Sequence, residues 1–228
     1  GGKIQPRRAV HRSSDGNVEG IVAGSTQRRA PMKGSATLLD HGFFERSPLV
    51  CARELIGCRL EWQGCAGVIV ETEAYEAAGD AACHVHVRPS ARRFIEEHEA
   101  GTAYVYLNYG VHWLFNLLVK GGGRDGFVLF RALEPVSGLQ RMKRRRHREA
   151  EADLCSGPGK LTKALGIDGA LHGVPVLQSR RFSLCRETVL HQTEPIACRR
   201  VGISSAVNRK WRFVRAESSC LSVRPGAE

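Results

Sequence analysis

The sequence predicts a mixed α/β (α+β) fold, a single domain in which a curved, mainly antiparallel sheet is surrounded by helices. Three observations carry this. Apolar β-branched runs recur in pairs across short turn-forming stretches, which is the pattern of hairpins. No regular alternation of strand and helix periods runs through the chain, as a parallel sheet would require. With 228 residues, 42% hydrophobic and 25% charged, the chain is also long enough to enclose one substantial core.

Residues 1–36 are rich in Gly, Ser and Arg and lack a sustained apolar period, so they read as a disordered basic N-terminal tail ahead of a domain over 37–228. The tail holds seven Lys or Arg against two acids, +5 of the formal +11, so the domain is basic on its own. A DNA-tracking arm is the functional alternative for it. Ser47-Pro48 reads as an N-cap and first helical position. Cys51, Ala52, Leu55 and Ile56 then share one face before Gly57 stops the helix. Residues 58–62 and 65–75 form a hairpin across Gln63-Gly64, and in the second strand Glu71, Glu73 and Tyr75 point the same way.

A loop through Asp80 and His84 leads to a basic stretch, 88–93, and a helical turn at 94–98. Residues 104–107 and 111–119 read as two strands joined at Asn108-Tyr109-Gly110, which puts Tyr109 at or beside a hairpin tip. Residues 127–133 form a buried strand interrupted by Arg131, and an unpaired guanidinium there would be costly, so Arg131 needs a partner. A helix is expected over 136–142, running into the densest basic cluster, 141–148. Arg145 in that cluster is either a phosphate contact or part of a solvated face. Ser156-Gly157-Pro158-Gly159-Lys160 opens another helix. Its spacing is wrong for a nucleotide phosphate loop, but a helix N-terminus can hold one DNA phosphate. Residues 173–203 read as short strands and turns.

The basic balance, with pI near 9.6, favours a polyanionic partner. No apolar run approaches the roughly 20 residues that span a bilayer, so nucleic acid is preferred over a membrane. Eight cysteines without C-x-x-C or zinc spacing read as buried hydrophobes in a reducing compartment. That implies cytoplasm or nucleoid, or the nucleus in a eukaryote, with no metal site.

The chemistry concentrates in residues 68–116. A carboxylate at Glu73 beside the Tyr75 ring can seat a flat base and deliver a water to it. His84, Tyr75 and Tyr106 lie on segments able to converge, and stacking between rings is how a base extracted from a duplex is held. An aromatic at a hairpin tip, Tyr109, suits a wedge between base pairs. The plain alternatives are a solvated strand face for the carboxylates, a loop histidine and ordinary cross-strand packing.

Ile69-Val70-Glu71-Thr72-Glu73-Ala74-Tyr75, followed by Asp80-Ala81-Ala82-Cys83-His84, resembles the alkyladenine (3-methyladenine) DNA glycosylase family. Further blocks continue the likeness in family order over residues 38–215. They are Tyr104-Val105-Tyr106-Leu107-Asn108-Tyr109-Gly110, Leu129-Phe130-Arg131-Ala132-Leu133-Glu134-Pro135, Leu154-Cys155-Ser156-Gly157-Pro158-Gly159-Lys160-Leu161 and Arg200-Val201-Gly202-Ile203. The resemblance implies a cofactor-free, monomeric enzyme acting on double-stranded DNA that contains damaged purines.

By it, Glu73 matches the base that activates water, with Arg131 and the Val201 carbonyl helping to hold that water. Tyr75, His84 and Tyr106 match the rings around the flipped base. Asn116 matches the residue that disfavours guanine through its exocyclic amine, and Tyr109 the residue that fills the gap in the duplex. The chain departs from the family pattern at 85–93 and 94–99, where the family commonly has an Arg-Gly turn leading to Thr-Pro-Arg-Asn and then Met-Phe. Two other readings compete: a non-catalytic nucleic-acid-binding module, and a nucleoside or sugar glycosidase using Glu71 and Glu73, about 7 Å apart along a strand face. Strand scission through a lysine Schiff base is disfavoured, because no lysine lies between Val68 and Asn116.

Overall fold

A computed structural model of the chain describes residue 1 and residues 36–187 and 194–227. The tail expected over 1–36 lies outside the described residues except at its ends. Ala36, counted with the tail, already belongs to a strand, β1 (Ala36–Leu38).

Everything is arranged around β3 (Cys65–Glu76), the strand that carries Glu71, Glu73 and Tyr75. It enters by the expected hairpin from β2 (Arg59–Trp62), where Gln63 and Gly64 both take positive φ. On its other side β3 pairs along its length with β6 (Gly126–Ser137). Beyond β6 lie β5 (His112–Val119) and β4 (Ala103–Asn108). Beyond β2 come β7 (Phe182–Glu187) and then β1. Where β2 ends, β9 (Arg212–Val214) takes its place beside Glu71–Glu73 and pairs in turn with β8 (Ile196–Cys198). Every pairing among the described residues is antiparallel, and β1 and β4 end the main order.

Among the described residues five α-helices surround the sheet: α1 (His41–Phe44), α2 (Pro48–Glu54), α3 (Pro89–Glu97), α4 (Leu139–Arg146) and α5 (Pro158–Leu165). Ser47 caps α2 as expected, its hydroxyl accepting from the Val50 N–H, with Pro48 in the first turn where its missing donor is harmless. Two helix expectations are corrected. α3 starts at Pro89 rather than Phe94, because proline at a first helical position begins a helix rather than breaking it. The helix expected over 136–142 starts only at Leu139, since β6 stays paired with β3 through Ser137. Gly138 makes the switch at φ 74°, and a Cβ there would lie 2.6 Å from the Gly64 carbonyl oxygen.

Strand alternation sorts the sheet into two faces. Val105, Phe115, Leu117, Val128 and Phe130 pack into the main core with α2, α4 and α5. Their neighbours Tyr104, Leu118 and Phe127 join a second apolar cluster with Phe94 of α3. The central pair of strands switches parity. Ile69 and Ala74 both face the main core, as do Phe130 and Leu133, although each pair is an odd number of residues apart. The cause is a β-bulge. The ladder pairs Ile69 with Leu133, Glu71 with Ala132 and Thr72 with Phe130, skipping Val70 and Arg131. Without it, Glu71, Glu73 and Tyr75 would share the face of Ile69 and enter the apolar core. With it they face away from that core, and Tyr75 lines a cavity.

Candidate active site

That cavity, of about 840 Å³, lies over the second apolar cluster. Its wall includes Tyr75 from β3, His84, Tyr106 from β4, Asn116 from β5 and Arg131 from β6. The N-terminal turn of α5 and Val201 also line it. The sheet therefore brings together the ring, amide and arginine residues singled out in the sequence.

Glu73 is fully buried just behind this wall. Its Oε2 accepts from the Tyr75 hydroxyl at 2.8 Å and from Arg131 Nη1 at 3.3 Å, and its Oε1 accepts from the Val201 N–H at 2.8 Å. All three donors belong to cavity-lining residues. A carboxylate oxygen has two acceptor sites, so Oε1 keeps one for a further donor. Val201 thus reaches Glu73 through its N–H, where the sequence expectation concerned its carbonyl.

Glu71 is arranged differently. Its Oε1 accepts from Arg131 Nε at 3.0 Å, Arg212 Nη1 at 3.1 Å and Ser222 Oγ at 2.7 Å, and its Oε2 from the Ser222 N–H at 2.7 Å. Four donors hold it, and Glu71 does not line the cavity, which argues against a glycosidase that uses both strand carboxylates. Arg131 has the partners its burial demanded. Burial alone would lower its pKa, but Glu73 and Glu71 outweigh that and hold the guanidinium charged. Burial first, then the Glu73 charge and hydrogen bond, raise the Tyr75 phenol well above its usual range, so it remains a donor.

The rings have defined electrostatics. His84 packs edge-on to Tyr106 with centroids 4.3 Å apart, and its Nδ1 lies 3.2 Å from the Tyr104 hydroxyl. Burial, reinforced by Arg88, lowers its pKa to about 4, so near neutral pH the imidazole is uncharged. Asn116 is buried and donates from Nδ2 to the Tyr104 carbonyl at 3.1 Å. Tyr109 occupies the hairpin tip at φ 49°, followed by Gly110 at φ 70°, with the Val111 N–H returning to the Asn108 carbonyl. This is the turn twist that suits a tight hairpin. A tyrosine at positive φ costs about 1–2 kcal/mol, yet this one is 88% exposed beside the cavity. Packing does not explain it.

Of the basic residues, Lys160 lies exposed in the first turn of α5 at the cavity, its Nζ 3.2 Å from Ser156 Oγ. Arg145 is not brought there. It is half-buried between α4 and α5 and donates to the Ala164 carbonyl at 3.0 Å. The cluster's member at the cavity is Arg146, because successive residues on a helix point about 100° apart and α4 turns Arg145 toward α5.

Three participants had no role assigned from the sequence. Arg200 is buried in a bidentate pair with Asp80, at 2.6 and 2.8 Å, and its guanidinium lies 4.6 Å from the Tyr75 ring centroid. Arg212 and Ser222 reach Glu71 from 141 and 151 residues away. An aspartate in an alanine-rich loop and a serine near the C-terminal end carry no local periodic signal.

The chain is similar to known proteins over most of its length. The sequence profile of the methylpurine-DNA glycosylase family matches residues 42–219. A Rhodopseudomonas palustris protein is 41% identical over 204 residues, covering 86% of this chain and 97% of the relative. A Bradyrhizobium diazoefficiens protein is 40% identical, with 81% and 90% covered. One from Salinibacter ruber is 39% identical, with 81% and 96% covered. All three carry the name "Putative 3-methyladenine DNA glycosylase".

Proposed function

The chain belongs to the methylpurine-DNA glycosylase family and is a DNA glycosylase, and on that premise we propose that it flips alkylated or deaminated purines out of duplex DNA and hydrolyses their N-glycosidic bond. The bases in question include 3-methyladenine, 7-methylguanine and hypoxanthine. The observation that carries the reading is the Glu73 carboxylate, buried at the cavity wall among three fixed donors and with one acceptor site on Oε1 remaining. Such a group accepts a proton from water and, as an anion, stabilises the positive charge that develops on the sugar. In the balanced step a water oxygen bonds to C1′ while the C1′–N bond breaks. The bonding pair leaves with the base and the water proton passes to Glu73.

The residues around Glu73 divide the remaining work. Arg131 orients the carboxylate and the water. Val201 contributes its N–H to Glu73, and its carbonyl is assigned to the water. Tyr75 on one side of the flipped base and His84 and Tyr106 on the other provide stacking surfaces. A neutral His84 ring suits this role, since an imidazolium would repel a methylated purine that already carries positive charge. Asn116 discriminates against guanine. The test is release of free base from duplexes that each hold a single 3-methyladenine, 7-methylguanine, hypoxanthine or ethenoadenine. Release of none of them overturns the reading.

Tyr109 is assigned to extraction, filling the space the flipped nucleotide leaves. Tyr109→Ser should therefore reduce single-turnover release most on fully paired duplex, where unstacking costs a few kcal/mol, and least on mispaired or single-stranded substrate. An equal loss on all three would place Tyr109 in pocket chemistry instead. Phosphate contact is assigned to Lys160 at the α5 N-terminus, and Lys160→Ala should weaken binding and reduce the salt slope, log Kd against log salt, by about 1. Arg145, proposed from the sequence for the same role, serves as the contrast. Its bond to Ala164 predicts that Arg145→Ala lowers Tm and leaves the salt slope unchanged, and a reduced slope would return it to the DNA interface.

A further inference from the structure

Ser222 lies beyond the residues that match the family profile, in a segment that passes beneath the central strands. Leu221 and Cys220 pack into a small apolar cluster with Val70 and Ala132, the chain neighbours of Glu71 and Arg131. The Val223 carbonyl accepts from Arg212 Nη1 at 3.0 Å. Anchored on both sides, Ser222 makes three polar contacts. Its N–H donates to Glu71 Oε2 at 2.7 Å, its Oγ donates to Glu71 Oε1 at 2.7 Å, and the same Oγ accepts from Arg131 Nη2 at 3.1 Å.

These contacts close a ring running from Arg131 Nη2 to Ser222 Oγ, to Glu71 Oε1 and back to Arg131 Nε. The third arm of the guanidinium, Nη1, is the one on Glu73. A planar group held by three acceptors in three directions cannot pivot, and Ser222 supplies the only one that is not a carboxylate. We infer that Ser222 is a positioning residue for base release, the C-terminal clamp that fixes the plane of Arg131 and through it the orientation of the Glu73 carboxylate. This inference rests on the reading of Glu73 and Arg131 given above. Without the hydroxyl, Arg131 keeps its two carboxylates but can rotate about them, so one of the three donors that aim Glu73 is loosened while Tyr75 and Val201 remain.

The test uses the full chain with Ser222→Ala and Ser222→Thr, measuring single-turnover release of hypoxanthine from duplex across enzyme concentrations. Ser222→Ala should lower the maximal rate about 10- to 100-fold, the effect of one hydrogen bond to a charged group. The enzyme concentration giving half-maximal rate should not change, because Ser222 does not line the cavity. Ser222→Thr, which keeps the hydroxyl, should restore most of the rate. In a Glu73→Gln background Ser222→Ala should cause little further loss, since there is no base left to aim. If the alanine variant loses cooperative unfolding, Ser222→Cys replaces it with the same expected loss. An unchanged maximal rate, a threonine variant as slow as the alanine one, or an additive loss in the Glu73→Gln background overturns the inference. Failure of the unmodified chain to release any lesion base overturns the underlying reading instead.

Discussion

Glu73→Gln is expected to lower the single-turnover rate of base release by about a hundredfold to ten-thousandfold, the range for losing a positioned general base. The loss should be similar on paired, mispaired and single-stranded substrates, because the missing step is chemical rather than extractive. DNA affinity should persist, since Glu73 is fully buried and contributes nothing to the surface that meets phosphate. The glutamine amide retains one oxygen but replaces the other with a donor, so it conflicts with one of the groups now donating to Glu73. A Tm loss of a few degrees should therefore accompany the rate loss, and folding should remain cooperative. Unchanged base release would exclude Glu73 as the base and place the water-activating group elsewhere in the site.

The second large effect falls on stability. Glu71→Ala should destabilise the fold by about 3–5 kcal/mol, on the order of 10 °C in Tm, because it leaves two buried guanidinium groups without their shared counter-charge. Arg131 would keep Glu73, but Arg212, whose side chain is wholly buried, would lose the carboxylate at 3.1 Å. Glu71→Gln retains the shape and an acceptor oxygen and should fall between wild type and alanine. Thermal unfolding of the three proteins checks this. Equal Tm values would mean that the network adds nothing to stability. The two neighbouring glutamates thus separate by measurement, one chiefly in rate and the other chiefly in stability.

Features governed by local chain chemistry were legible in the residues alone. The Ser47-Pro48 start of α2, the Gln63-Gly64 turn, the Asn108-Tyr109-Gly110 tip and the antiparallel character of the sheet follow from capping, turn preference and periodicity, each confined to a few consecutive positions. So did the demand that Arg131 have a partner, because desolvating an unpaired charge is prohibitive wherever it occurs.

Tertiary structure alone decided which face the carboxylates occupy. A strand's period of two implies that Ile69 and Glu71 share a face, and only a bulge across two strands 60 residues apart in sequence separates them. It likewise decided that Glu71 is tied into a network away from the cavity while Glu73 is held by cavity-lining donors, since the difference rests on Arg212 and Ser222, brought in from the far end of the chain. The turn of α4 that sends Arg145 to α5 and Arg146 to the cavity depends on where that helix begins. That start was set by Gly138, which leaves no room for a Cβ against Gly64 and Cys65. Periodicity is a short-range property of the chain, whereas a bulge, a shared counter-charge and a steric stop exist only once distant segments meet.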